Sequence, residues 1–266
     1  MFEIARFESR RRLRAALFVS ALLVATVGLV VGLFPSIEQS GVDFEAYVEA
    51  FPPEIRTTFI GSLAELGTIE GFLVTELYQF VWSLLVGLYV AAAGAGAVAG
   101  EAESGTLDLL LVNPVTRTRV VVGKALSLLP LILLLNGIAA VTVLVGVSLI
   151  GEHVRLDRLL LLHAGFVVYH AASGSVGLVA SVLVDRVRRA QGIALGALFA
   201  TYLLDSLTVE TDYEWLGELS LSRHFDPGEV LVAGDVDWLG LAVLVGVAVV
   251  GVIVAAELFE RRDVAG

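Results

Sequence analysis

Six apolar runs, each long enough to cross a bilayer as a helix, dominate this 266-residue sequence. A transmembrane helix needs about 20 residues to cross the roughly 30 Å hydrocarbon core. Hydrophobic residues make up 57% of the chain, charged residues 17%, and the mean hydropathy is +0.87. We therefore expect an all-α, polytopic membrane protein with one membrane domain and six spans, near residues 15–34, 72–99, 125–150, 159–184, 190–207 and 238–256.

The first apolar run resembles a signal peptide because four arginines closely precede it. It is, however, about 20 residues long and ends in Leu33-Phe34-Pro35 rather than at a small-x-small cleavage site. We interpret it as a retained span. The predicted organisation is an N-terminal elbow over residues 1–14, a six-helix domain over 15–256 and a tail over 257–266.

Basic residues predict the orientation of these spans. Six spans place both termini on one side, and 13 of the 17 basic residues lie on that side. The positive-inside rule makes that side cytoplasmic, so we expect a multi-pass protein of the plasma membrane with both termini inside the cell. The four basic residues on the opposite side are Arg56, Arg155, Arg158 and Arg223.

The composition narrows the function classes and indicates a source. The chain has no cysteine, which excludes disulfides and thiolate chemistry, and its net charge of −11 argues against nucleic acid as a partner. Its single lysine and many acids are typical of salt-loving archaea, whose proteins work where salt screens charge over a few ångströms. Most carboxylates lie on the predicted outer side, either as a solvated surface or as a vestibule that collects cations.

The predicted spans carry no charged side chain at mid-depth, unlike ion-driven carriers. The deep polar residues are instead Asn136 in the third span and His163 and His170, seven residues apart, in the fourth. Two histidines are too few for a transition-metal site, and no third ligand stands at a definite spacing. We therefore expect hydrogen bonds between helices.

Small residues in two spans predict close packing against another helix, either in the same chain or in a second one. The second span runs through alanines and glycines to Gly96 and Gly100, and Gly192 and Gly196 repeat the four-residue spacing in the fifth span. Such residues let helix backbones approach closely.

The cytoplasmic segment between the second and third spans reads as a short capped helix. Gly105 permits a sharp turn, Thr106 is a candidate N-cap, and Asp108 would lie in the first turn, where the helix dipole favours negative charge. An apolar stripe follows, and Asn113-Pro114 predicts the start of another helix. A short stripe on this side can dock into the groove of a partner or lie on lipid headgroups. Its members are Leu107, Leu110 and Leu111.

This segment resembles the signature of ABC type-2 permeases, the membrane-spanning subunits of ABC transporters. The elbow, the six spans and the cytoplasmic termini agree with that family, in which this short helix couples the permease to its ATPase; Asp108 stands where many relatives have Glu. The resemblance implies two partners, a soluble ATPase subunit and a second permease chain that forms a homodimer or a heterodimer with this one. It also implies an export function, but the sequence does not identify the substrate. The matching residues, which are the candidate coupling site, are Glu101, Glu103, Gly105, Thr106, Leu107, Asp108, Leu110, Leu111, Pro114 and Arg117.

The chain itself has no Walker A sequence for ATP. Its single lysine, Lys124, follows Gly123, but Thr118 and Ala125 occupy the other required positions of that motif. We therefore expect no enzyme activity and no cofactor in this chain, with ATP and magnesium bound by the partner subunit.

Two other functions fit six spans. One is a rhomboid-like intramembrane protease, since Ser173-Gly174 resembles its nucleophile turn. That family takes its histidine from the sixth span, which has none here, and Ala171 replaces its glycine. The other is a non-enzymatic scaffold or channel, which would leave the coupling-like segment unexplained.

Overall fold

The computed structural model describes residues 2–40, 65–107, 116–209 and 211–262, with side chains from residue 14 onward. Seven long helices account for most of these residues, and no β-strand occurs among them. The helices are α1 (Phe2–Glu38), α2 (Ile69–Glu103), α3 (Arg117–Leu126), α4 (Leu129–Leu149), α5 (Leu156–Leu183), α6 (Val187–Thr208) and α7 (Trp238–Arg261).

Six spans, as predicted, are long and apolar enough to cross a membrane: α1 from Arg14, α2, α3 with α4 (Arg117–Leu149), α5, α6 and α7. Their ends follow from local sequence. The Thr68 hydroxyl accepts a hydrogen bond from the Gly71 amide at the start of α2, and the Asp237 carboxylate accepts one from the Leu239 amide at the start of α7. The chain leaves α4 through Gly151, whose φ of 86° suits glycine.

Helix α2 changes its winding part-way along the membrane. It is α-helical over Ile69–Leu73, π-helical over Val74–Val86 and α-helical again over Gly87–Glu103. π-helical stretches are rare and usually a single turn long. Here the wider winding carries Tyr78 and Trp82, both fully buried, into the interior of the bundle.

Helix α5 lies at the centre of the bundle and packs against α2, α4, α6 and α7. Glycines allow its backbone to touch that of α2. A Cβ atom added at Gly94 would lie 2.3 Å from the Gly174 carbonyl oxygen, and one added at Gly177 would lie 2.0 Å from the Ala91 carbonyl oxygen. The predicted packing through small residues therefore occurs. The closest approach of backbones is at Gly94, whereas Cβ atoms added at Gly96 and Gly100 would lie 4.0 Å and 3.7 Å from the Val187 side chain of α6.

Helix α6 is the least covered span. Its buried residues are Ala190, Ala194 and Thr208. A Cβ atom added at Gly192 or Gly196 would meet nothing within 4 Å among the described atoms. The small-residue face predicted in this span is therefore not covered by the described part of its own chain.

Candidate functional site

The second span ends in a turn that reverses the chain into the candidate coupling segment. The Thr106 amide donates to the Glu101 carbonyl at 3.0 Å, and the Gly105 amide donates to the Ala102 carbonyl at 3.2 Å. This pair of bonds is the Schellman arrangement, and it requires the left-handed conformation of Gly105, which has a φ of 69°. The sharp turn predicted at Gly105 is therefore confirmed.

Thr106 follows the turn outside any helix, and Leu107 is again helical. The Thr106 hydroxyl lies 2.8 Å from the Ser104 hydroxyl. Four predicted site residues, namely Asp108, Leu110, Leu111 and Pro114, lie outside the described residues. The segment rejoins the described chain at Thr116, whose hydroxyl accepts a hydrogen bond from the Arg119 amide and so caps α3.

The first of the three stripe leucines packs inside the chain rather than facing a partner. Leu107 is 5% exposed and lies in a cluster with Val98, Val121 and Phe259, from α2, α3 and α7. We predicted that Leu107 would be buried against an ATPase. With so little surface exposed it anchors the segment to its own bundle, and the docking role predicted for the stripe is left to Leu110 and Leu111.

Glu101 and Lys124 join the two helices that flank the segment. Lys124 is fully buried, and its ammonium group contacts the carboxylate of Glu101, which is 7% exposed. The pair links the end of α2 to α3 across 23 positions of sequence. Both charges are largely removed from water, and the attraction between them offsets part of the cost of burying them.

Glu103, two residues further along, contacts the start of the fifth span. Its carboxylate accepts a hydrogen bond of 2.9 Å from the Val187 amide, the first residue of α6. The first amides of a helix have no partners within that helix and carry its positive dipole end, so a carboxylate is favoured there. Glu103 therefore ties the end of α2 to α6.

Arg117 contacts the far end of the chain. Its guanidinium donates to the carbonyl oxygens of Phe259 at 2.9 Å and Glu260 at 3.3 Å, and to that of Arg262. It also lies over the Phe259 ring, 5.5 Å from the centroid. The last carbonyls of α7 lack partners in their own helix and carry its negative dipole end, which a cation stabilises. Arg117 therefore caps the C-terminal end of α7.

A second arginine continues this chain of contacts to the central helix. The Arg262 guanidinium donates to the Val182 carbonyl at 3.2 Å, near the end of α5, and also contacts the Asp185 carboxylate. Beside it, the Thr118 hydroxyl of α3 contacts the Glu260 carboxylate. We call these interactions, together with those of Glu101, Glu103 and Arg117, the helix-end contacts.

We predicted that Glu101, Glu103 and Arg117 would contact the rim of an ATPase. Each has a partner within the chain, and these partners come from α3, α6 and α7. None of the partners could be identified from local spacing, because they lie 23 to 145 positions away in sequence. Contact between these three residues and an ATPase stays a prediction.

A second polar group, the central cluster, lies within the spans and consists of Tyr78, Trp82, Asn136, His163 and His170. Asn136 is its hub: the Trp82 indole donates to its side-chain oxygen at 3.1 Å, that oxygen lies 3.2 Å from His163 Nδ1, and its amide nitrogen lies 3.2 Å from His170 Nδ1. The outer ring nitrogens of the histidines lie 3.1 Å from the Tyr78 hydroxyl and the Trp82 carbonyl.

One proton on each imidazole satisfies every contact in the central cluster. His163 donates from Nδ1 and accepts at Nε2, whereas His170 accepts at Nδ1 and donates from Nε2. The predicted hydrogen bonds between helices are confirmed. The sequence analysis missed Tyr78 and Trp82, although their polar aromatic side chains, four residues apart in an apolar span, were a usable signal.

The serine of the suggested rhomboid motif is engaged within its own helix. The Ser173 hydroxyl donates to the Tyr169 carbonyl at 3.1 Å, and the nearby His170 is bonded to Asn136 and to Trp82. Nucleophilic catalysis needs a base that contacts the serine. The described residues bring no histidine nitrogen to this hydroxyl.

The predicted outer side holds a polar cavity of about 530 Å³ between α2, α6 and the loop before α7. Three of its carboxylates are bound locally: Asp205 to the Ser222 hydroxyl, Asp226 to the Gly228 amide and Asp237 to the Leu239 amide. At a fourth, Glu229, burial and the neighbouring carboxylates raise the pKa. Three of the four thus organise their own loop, which favours a structural role over a cation-collecting vestibule.

Comparison with known families agrees with the architecture. The family model described as ABC-2 family transporter protein matches residues 4–264. The chain belongs to this family. The match spans all six transmembrane helices and the segment between α2 and α3, so the protein is a membrane component of an ABC transporter. This membership decides against the protease. No curated protein matches the chain in sequence.

Proposed function

We propose that the chain is the permease subunit of an ATP-driven exporter, with ATP hydrolysed by a separate soluble subunit that docks on the segment between α2 and α3. The observation that carries the proposal is the anchoring of this segment. At one end Glu101 and Glu103 contact α3 and α6, and at the other Arg117 contacts α7. A displacement of the segment would therefore be passed to several spans.

The proposed orientation places this segment and both termini in the cytoplasm, where ATP is. The 13-to-4 distribution of basic residues supports it. Export is proposed on the family resemblance and on the lack of any recognisable dock for a substrate-binding protein.

A second permease chain also belongs to the proposal. The face of α6 around Gly192 and Gly196 has nothing packed on it in the described chain, and small residues suit close pairing of helices in membranes. This uncovered face supports the pairing of two permease chains, identical or different, in an assembly that also contains two ATPase subunits.

The test is to introduce a charge into the docking stripe. Burial of one leucine contributes about 1.5–3 kcal/mol, so Leu110→Asp should weaken ATPase binding by at least about tenfold, and more if the charge is buried unpaired. The measurements are membrane expression, the amount of copurified ATPase and the ATP hydrolysis of the complex. Leu219→Asp is the matched control, since Leu219 is 63% exposed at the opposite end of the bundle.

Normal expression with loss of the ATPase in Leu110→Asp, but not in Leu219→Asp, is the expected result. It would also support the orientation, because the ATPase is cytoplasmic. A complex that forms and hydrolyses ATP normally would mean that the stripe lies on lipid, and the proposed docking site would be wrong.

A further inference from the structure

An apolar groove of about 350 Å³ runs along the outside of the bundle between α3–α4 and α7, with α5 as its floor. Residues from Val122 to Ile132 form one wall, and residues from Ala248 to Ile253 form the other. The lining is apolar apart from the hydroxyl of Ser175, whose single proton has two carbonyl oxygens within reach, that of Ala172 at 2.8 Å and that of Val247 at 3.3 Å. The groove thus offers no free polar group to a soluble ligand.

The length and position of the groove match one leaflet of a bilayer. Val122 and Ile132 are ten residues apart, or about 15 Å along a helix, which is half of the roughly 30 Å hydrocarbon core. Both walls belong to membrane-spanning helices, Arg117–Leu149 and Trp238–Arg261. In the proposed orientation, the groove begins at the cytoplasmic boundary and ends near the middle of the membrane.

A cation stands at the cytoplasmic end of this groove. Arg119 precedes Val122 by three positions and Leu126 by seven, so all three side chains lie on one face of α3. Arg119 is exposed, and no described side chain pairs with its guanidinium. Two carboxylates at the end of α7 are engaged with other side chains, Glu260 with Thr118 and Glu257 with Arg261 at 3.0 Å.

We propose that this groove binds an anionic phospholipid of the cytoplasmic leaflet, with one acyl chain in the apolar channel and the headgroup phosphate on Arg119. The groove supplies a leaflet-long apolar wall, and the guanidinium supplies the charge complement at headgroup depth. The proposal depends on the orientation given above but on neither ATPase docking nor transport, so it can fail without affecting the proposed function.

The experiment is a lipid titration of the purified permease, followed by native mass spectrometry. The probes are phosphatidylglycerol and phosphatidylcholine with identical acyl chains. One basic residue near an anionic headgroup contributes about 1 kcal/mol, so the wild-type protein should prefer phosphatidylglycerol by about fivefold. Arg119→Gln should remove this preference, whereas Arg189→Gln, at an exposed arginine near the start of α6, should retain it.

A second pair of variants tests the apolar part of the site. Ala248→Phe fills the groove and should weaken binding of both lipids, whereas Val250→Phe, on another face of α7, should not. If Ala248→Phe lowers the thermal unfolding midpoint, Ala248→Leu replaces it. A third arm adds soluble glycerol phosphate, which should not displace the lipid.

Three results would overturn the proposal. The first is an equal loss of preference in Arg119→Gln and Arg189→Gln, which would indicate diffuse charge. The second is unchanged binding of both lipids when the groove is filled by Ala248→Phe or by its replacement Ala248→Leu. The third is displacement by glycerol phosphate, which would indicate a site for free phosphate rather than for a lipid.

Discussion

Two polar regions of this protein are built from different chemistry. The central cluster, deep in the spans, uses neutral groups, and each donor in it meets an acceptor. The helix-end contacts lie near the proposed cytoplasmic boundary and consist of charged side chains. These side chains bind either an oppositely charged side chain or the backbone amides and carbonyls at the ends of helices. Isolated charge is expensive at membrane depth, whereas at the boundary it can bind the backbone groups that helices leave unpaired.

This difference suggests a division of labour. The central cluster joins α2, α4 and α5, and its hydrogen bonds do not reach the described ends of the coupling segment, so it should set stability. The helix-end contacts join the flanks of that segment to α3, α5, α6 and α7, so they should govern the transfer of movement from an ATPase. The following predictions test this division, from the largest expected effect to the smallest.

Breaking the buried pair at the end of α2 should have the largest effect. Lys124→Met leaves the Glu101 carboxylate without its ammonium partner in a site that is 7% exposed. Loss of one member of a buried pair costs about 3–5 kcal/mol. Unfolding of the purified permease in detergent measures the loss, and Glu101→Leu combined with Lys124→Met should recover most of it. A double variant as unstable as the single one would show that packing, not charge, determines the result.

Removal of the hub of the central cluster should have the next largest effect. Asn136→Ala leaves the Trp82 indole and both histidines without a shared partner, and each buried polar group left unsatisfied costs about 1–3 kcal/mol. Because three groups lose this partner, we expect a loss of about 3 kcal/mol in the same unfolding assay, the lower limit for three such groups. The rate of ATP hydrolysis per assembled complex should be unchanged, and variants in the coupling segment should alter that rate as they do in the wild-type background. Normal stability with altered hydrolysis would reverse the proposed division.

The sequence was sufficient for the helical class, the six spans and the turn at Gly105, because each depends on local hydrophobicity or on a single backbone conformation. The polar roles of Asn136, His163 and His170 were also predictable, since buried polar groups in a membrane must find partners. The π-helical winding of α2 was not predictable, because no residue in Val74–Val86 requires it.

Contacts between distant segments were the main failure of the sequence analysis. A four-residue glycine spacing occurs on any face of a helix, so Gly96 and Gly100 gave no indication that Gly94 faces α5. Similarly, Arg117 and its carbonyl partners are separated by up to 145 positions. Leu107 was assigned to a partner because a short stripe cannot bury itself, and the bundle that covers it is formed by α2, α3 and α7.

The smallest predicted effect on stability, and the most specific test of the division, is at Arg117. Arg117→Ala removes the cap from the last carbonyls of α7, which is worth about 0.5–2 kcal/mol at a partly buried helix end. Folding should therefore survive. The link between the segment and α7 should be lost. The ATPase should therefore still copurify with the permease, but the permease should change its rate of ATP hydrolysis less than in the wild-type complex.

Arg261→Ala is the matched control for this variant. Arg261 lies on the same end of α7 and is exposed, and it pairs with Glu257 one turn earlier in its own helix. Because an exposed pair of this kind contributes little, its loss should leave stability and hydrolysis near the wild-type values. Arg117→Lys should restore part of the cap as a cation but cannot match the several donors of the guanidinium, so an intermediate hydrolysis rate is expected. If Arg117→Ala and Arg261→Ala behave alike, the contact between Arg117 and α7 is only structural, and transfer of movement must follow Glu101 and Glu103 into α3 and α6.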